Sequence, residues 1–196
     1  MPERESGRRV RADAQRNIDA LREAAMAVFA ESGVHAPVRE IAERAGVGLG
    51  TVYRHFPQRS DLVTAVFRHE VDACAAAAPK LAAEYEPDEA LVRWLRRYTG
   101  FLAAKRGLAA ALHSGDPAYG ALPQYFDRHL RPALDSLLSA AVAAGRIRPD
   151  VDAGDLLTAL ANLSLPADEK PDHTRRMVAL LIDGLRYGAP ATRERS

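Results

Sequence analysis

Cysteine occurs once, at Cys74, which excludes an internal disulfide and a cysteine-based zinc site. No apolar stretch approaches the roughly 20 residues that a membrane-spanning helix needs, and charges interrupt every candidate. The N-terminal run Met1-Pro-Glu-Arg-Glu-Ser-Gly-Arg-Arg9 is charged with no apolar segment behind it, unlike a secretory signal. His69, His113 and His129 are scattered rather than set at metal-ligand spacing, so neither a metal nor a cofactor is expected. Lysine is confined to Lys80, Lys105 and Lys170, so arginine carries nearly all the positive charge. The net charge of +1 does not announce a nucleic-acid partner. What remains is a chain of 196 residues, 47% hydrophobic, large enough to bury a core and expected to be cytoplasmic.

Strand-like alternation is also missing, and helical periodicity dominates. Ile18, Leu21, Ala25, Val28 and Phe29 recur at three- and four-residue steps, which predicts a helix over 14–32 stopped by Gly33. Pro37 sits at a first-turn position for a second helix reaching Ala45, and Leu49–His55 forms a third before Pro57. A fourth runs from Arg59 or Ser60 to Ala78, where Pro79 bends or breaks it. Pro87 opens a helix with Trp94, Tyr98, Phe101 and Leu102 on one face, followed by a short segment 108–113 and a loop over 114–117. A long helix over 123–144 is kinked or split at Pro132, and helices over 153–165 and 172–187 flank a polar linker. The fold class is all-α: a three-helix N-terminal domain and a larger helical C-terminal domain. Boundaries fall at 1–13 (a basic, flexible arm), 14–58, 59–188 and 189–196 (a flexible tail).

The densest chemistry lies in Val38-Arg-Glu-Ile-Ala-Glu-Arg-Ala-Gly-Val-Gly-Leu-Gly-Thr-Val-Tyr-Arg-His-Phe56. Two short helices joined by a glycine-centred turn have the layout of a helix-turn-helix, whose second helix enters the DNA major groove. Thr51, Tyr53, Arg54 and His55 all carry groups that hydrogen-bond phosphates or base edges. Arg54 is long enough for a bidentate guanine contact, which contributes about 1–3 kcal/mol of discrimination. Gly50 lets the backbone approach DNA closely, and Arg39 at the start of the preceding helix can reach a base or phosphate. Ile41, Ala42, Val47, Val52 and Phe56 are the small core that sets the angle between the helices. Arg8, Arg9 and Arg11 read either as a minor-groove arm or, more simply, as a solvated charged tail.

The stretch 18–62 resembles the DNA-binding domain of the TetR family of bacterial transcriptional regulators. The likeness rests on Phe29-Ala-Glu-Ser-Gly33, Ile41-Ala42, Ala45-Gly46-Val47, Gly50-Thr51-Val52-Tyr53 and His55-Phe56. It implies DNA contacts from Leu49, Gly50, Thr51, Tyr53 and His55, and a phosphate contact from Arg59, where the family usually has lysine. Two departures stand out. Gly48 replaces the usual serine cap of the reading helix, and Ala36-Pro37-Val38 replaces a threonine-rich helix start.

The resemblance also implies a homodimer through the last two helices, reading a palindromic operator. Leu156, Leu160 and Leu163 form one apolar stripe; Met177, Leu181 and Leu185 form another, with small Gly184 beside it. Packing of both stripes inside one chain is the alternative, but Ile182 widens the second stripe, and a helix apolar on more than one face favours dimerisation. A family effector pocket would be walled by Trp94, Tyr98, Phe101, Tyr125 and Phe126, with Phe67, Val71, Cys74, Leu112 and His113 in reach; aromatic residues at helical spacing also build ordinary cores. The expected function is a dimeric repressor released from double-stranded DNA by a small-molecule effector. An architectural DNA-binding protein without a sensor is the alternative. An enzyme is not expected, because Asp116 near His113 has no third partner and no phosphate cradle.

Overall fold

The computed structural model describes residues 3–105, 114–164 and 171–187. The backbone is helical throughout: α1 (Glu3–Ser32), α2 (Val38–Arg44), α3 (Leu49–His55), α4 (Arg59–Glu84), α5 (Pro87–Lys105), α6 (Leu122–Ala143), α7 (Ala153–Ser164) and α8 (Pro171–Arg186). Among the described residues a 3-10 turn spans Pro117–Tyr119, starting at the last residue of the loop predicted over 114–117. Asp116 caps it by accepting the Ala118 N–H at 2.9 Å, and so serves a turn rather than acid–base chemistry.

Two helix boundaries differ clearly from the sequence reading. α1 begins at Glu3, not near Ala14, so the segment taken for a flexible arm has a helical backbone. Arginine and glutamate dominate it, and a lone Gly7 costs only about 1 kcal/mol against that propensity. α4 continues through Pro79 to Glu84; Pro79 is exposed, so solvent can meet the carbonyl that loses its N–H donor. α6 runs through Pro132 as one element, which sets aside the split and leaves the kinked alternative of the sequence reading. The segment 108–113, most of the 166–171 linker and the tail 189–196 lie outside the described residues.

Packing divides the chain into two compact units, Met1–His69 with Ala104–Leu122, and Glu70–Ala103 with Pro123–Ser196. The division falls inside α4, later in the chain than position 58. In the first unit the α1 stripe of Leu21, Ala24, Ala25, Val28 and Phe29 is buried, as are Ile41, Val52, Phe56 and Leu62. Gly33 stops α1 at φ 78, a conformation that costs glycine nothing. In the second unit α5 contributes Leu91, Trp94, Leu95 and Tyr98, α6 contributes Leu130, Leu134 and Leu137, and α7 contributes Leu156, Leu157 and Leu160. Val178, Ile182 and Leu185 bury one side of α8. Its last carbonyls are tied down where the Arg148 N–H donates to Leu185 O at 2.9 Å. Among the described residues no helix is long and apolar enough to cross a membrane.

Candidate nucleic-acid interface

The turn between α2 and α3 is a Schellman motif. Val47 N–H donates to Ala42 O at 3.0 Å and Gly46 N–H to Glu43 O at 3.2 Å. Gly46 occupies the left-handed position at φ 67 that this geometry requires. The chain then turns extended at Gly48 (ψ 147), the N-cap of α3, which makes no side-chain cap hydrogen bond. Pro37 is the N-cap of α2 rather than a first-turn residue, again with no side-chain cap bond. Beyond α3, the Gln58 N–H donates to the Asp61 carboxylate at 2.9 Å, half of a capping box that starts α4.

α3 has two faces. Val52 is 1% exposed and Phe56 8%, so they anchor the helix inward. Tyr53 is 51% exposed and Leu49 41%, with Gly50 and Arg54 also on the surface. Thr51 and His55 are half-buried at the flanks. Leu49 and Tyr53 stand one helical turn apart on this exposed face. No described residue pairs with the Arg54 guanidinium.

The other two arginines singled out by sequence are engaged within the fold. Arg39 Nε donates to Glu43 Oε1 at 2.8 Å across one turn of α2, with both side chains largely exposed. An exposed pair of this kind contributes little and is readily exchanged for another anion. Arg59 is half-buried, and its Nη1 donates to the Val34 carbonyl at 2.5 Å. Sequence gave no sign of that tie, nor of Arg44 Nη1 donating to Glu31 at 2.8 Å, which binds α2 to α1. The Arg44–Glu31 hydrogen bond holds the guanidinium above its ordinary pKa.

Of the residues assigned to an effector pocket, Leu112 and His113 lie outside the described residues, and Phe67 is buried in the first unit. The others come together in the second unit as a ring cluster. Trp94 stacks on Tyr98 at 5.7 Å, Tyr98 on Phe101 at 6.2 Å, and Phe101 on Phe126 at 6.2 Å. The buried polar atoms are satisfied internally: Trp94 Nε1 donates to Cys74 O at 2.9 Å, and Tyr98 OH to Leu157 O at 3.2 Å. Burial pushes the Cys74 thiol up to about 11, and raises Tyr98 as well. Val71 is also buried. Tyr125 is only half-buried; its OH donates to Asp72 Oδ1 at 2.6 Å and its ring stacks on His129 at 4.0 Å.

The α7 and α8 stripes split between two environments. Leu156, Leu160 and Leu185 are buried, whereas Leu163, Met177 and Leu181 are half-buried and Gly184 is exposed. Leu180, beside them on α8, is 66% exposed. Together with Leu156 and Ala159 they line an open groove of about 600 Å³ between the two helices. Arg148, Asp150, Asp152 and Asp155 mark one end of it.

Known proteins carry the same pattern. Residues 21–66 match the family model described as bacterial regulatory proteins, tetR family. Residues 86–187 match the model described as transcriptional regulator SbtR-like, C-terminal domain. The TetR transcriptional regulator SCO0520 of Streptomyces coelicolor is similar in structure, with a TM-score of 0.74 and 41% identity over 86% of this chain and 98% of its own. A TetR transcription regulatory protein of Mycobacterium vanbaalenii has a TM-score of 0.71 and 38% identity over 90% and 99% of the two chains. A gamma-butyrolactone receptor (ArpA-like protein) has a TM-score of 0.62 and 26% identity over 92% of each chain. An HTH-type transcriptional regulator of Staphylococcus aureus is 39% identical over 64 residues, which span only 32% of this chain and 35% of that protein. With both halves matched and the helix-turn-helix in place, the chain belongs to the TetR family of bacterial transcriptional regulators, which are DNA-binding proteins and not enzymes.

Proposed function

We propose that the protein is a homodimeric repressor that holds a two-fold symmetric operator until a small molecule bound in its second unit releases it. The carrying observation is the outward face of α3, where Leu49, Gly50, Tyr53 and Arg54 lie exposed around the buried anchor Val52. In this reading Arg54 reads a base edge, and Thr51, Tyr53 and His55 bind phosphate or base. Arg39 exchanges Glu43 for a phosphate, as a weak exposed pair permits. Arg59 uses donors not given to Val34 O, since a guanidinium has five. Two copies would place their reading helices roughly 34 Å apart.

Support for the dimer comes from α8, where Met177, Leu180, Leu181 and Gly184 leave an apolar surface beside the α7–α8 groove. Buried in their own unit, Leu156, Leu160 and Leu185 serve the interface from beneath. Effector binding is supported by the likeness to a gamma-butyrolactone receptor and by the ring cluster. Its half-buried edge, Tyr125 and Phe126, would meet the ligand, with Trp94, Tyr98, Phe101, Val71 and Cys74 as the wall behind. The effector acts by preferring a conformation that binds DNA poorly, and relieves binding by no more than that preference.

The test is a selection for bound DNA from a random library, repeated with Arg54→Ala. A palindromic consensus is expected, with Arg54→Ala losing about 1–3 kcal/mol of discrimination at one base pair of each half-site. An unchanged preference removes Arg54 from the reading, and the absence of any consensus removes the operator.

A further inference from the structure

Four large apolar or aromatic side chains stand exposed among the described residues. Leu49 and Tyr53 belong to α3; the other two, Leu180 and Tyr187, belong to the outer side of α8 and the residue after it. Arg176, Asp183 and Gly184 are exposed on the same face as Leu180, opposite the buried Val178 and Ile182. Gly184 is the odd choice there. It has no left-handed φ, and a Cβ built on it meets nothing within 4 Å. Glycine inside a helix is destabilising relative to alanine, and no described contact of the protomer requires it. What glycine offers at this place is room for something outside the protomer.

The charges on this face are arranged as opposites. Arg176 and Asp183 stand two turns apart, about 10 Å along the axis. Among the described residues none pairs with the Arg176 guanidinium. The Asp183 side chain is 72% exposed and meets Arg186 loosely at 3.8 Å, a guanidinium that also leans on Asp88 at 3.4 Å. If two α8 helices met in parallel, each charge would lie beside its own copy and repel it. In the reversed orientation Arg176 meets the partner's Asp183, and Asp183 meets the partner's Arg176, as a two-fold axis requires. Pairing positions 176 and 183 centres the crossing between Ala179 and Leu180, both exposed. Leu180 then faces its own copy, and the missing Cβ of Gly184 leaves space for the arginine stem that reaches Asp183.

We infer that two copies of the chain meet along this face of α8 in antiparallel orientation, and that reciprocal Arg176–Asp183 pairs between protomers set the register and select self over other partners. The inference rests on the homodimer reading above and names the residues that orient it. Leu180 and Gly184 supply the close contact, and the two charges supply the selectivity.

The experiment measures dimer affinity of the full-length protein by sedimentation equilibrium at low salt, for the parent, Arg176→Asp, Asp183→Arg and the double variant. Either single reversal sets like charges together at both symmetric contacts, and is expected to weaken dimerisation about tenfold. The double variant restores both pairs with exchanged sign, and is expected to return to within about threefold of the parent. Asp183→Arg also loses the contact with Arg186, but the double variant shares that loss, so recovery isolates the pair between protomers. Mixing the two single variants, one of them tagged for mass, should give heterodimers well above the statistical proportion, because both contacts are then opposite in sign. Single variants that dimerise as tightly as the parent overturn the inference. So does a double variant no better than the singles, or a mixture at the statistical proportion. A parent that stays monomeric at every concentration is a different result, and strikes the homodimer reading itself.

Discussion

Replacing Gly46 by alanine isolates one physical term in the reader. Gly46 holds φ 67 in the Schellman turn, and a Cβ built there finds nothing within 4 Å. No clash or cavity is therefore created, and only the backbone conformation is penalised. Holding a residue with a Cβ in the left-handed region costs roughly 1–2 kcal/mol. Alanine also narrows the unfolded ensemble relative to glycine, which offsets part of that cost without cancelling it. The expected net loss is thus about 1 kcal/mol, read as a lower denaturation midpoint in urea with an unchanged m-value. Gly46→Asn should lose less, because asparagine tolerates the left-handed region. Gly100→Ala supplies the control: Gly100 is exposed inside α5 with equally open space and no left-handed φ, so its substitution should be neutral or stabilising. If Gly46→Ala is as stable as the parent, or Gly100→Ala is as damaging, the backbone argument fails.

Two other outcomes follow from the second unit. The Cys74 thiol, held up to about 11 by burial, should resist a thiol reagent in the native state and react on unfolding. Because the folded state keeps a proton that the unfolded state releases near pH 8.5, stability should fall between about pH 8.5 and 11, by at most 1.4 kcal/mol per pH unit from this group. Cys74→Ala should flatten that part of the pH–stability curve, and an unchanged curve would refute the assignment. Leu181→Asp places a charge on the half-buried side of α8. Sedimentation should then report a monomer with its helix content intact, whereas a persistent dimer would move the interface elsewhere.

The helix-turn-helix was legible because its punctuation is local: Gly33, Gly46 and Pro57 act within a few residues of where they stand. Helix ends were less legible where a local rule met a stronger neighbour, as at Pro79, which lies inside α4. Pairings distant in sequence left no trace in it. Arg59 reaches Val34 O across 25 positions, and Tyr98 reaches Leu157 O across 59. Spacing had no means of showing that Arg59 is half-buried, so resemblance alone had assigned it to phosphate. The α7 and α8 stripes were ambiguous for another reason. Leu185 and Leu181 are both apolar and both line the groove, and only the fold shows that one is buried while the other is half-buried.

The uncapped start of α3 has a consequence in time rather than in space. With Gly48 offering no side-chain oxygen, the Leu49 and Gly50 N–H groups lack an intrahelical partner. Thr51 and Val52 hold only the Gly48 carbonyl, at 2.9 and 3.3 Å. The first turn of the reading helix should therefore fray faster than its anchored end, and its amides should exchange with solvent early. A backbone that orders fully only against phosphate gives up conformational entropy at the moment of binding. Gly48→Ser would transfer that ordering to the free protein, slowing amide exchange in the first turn and tightening DNA binding without a new base contact.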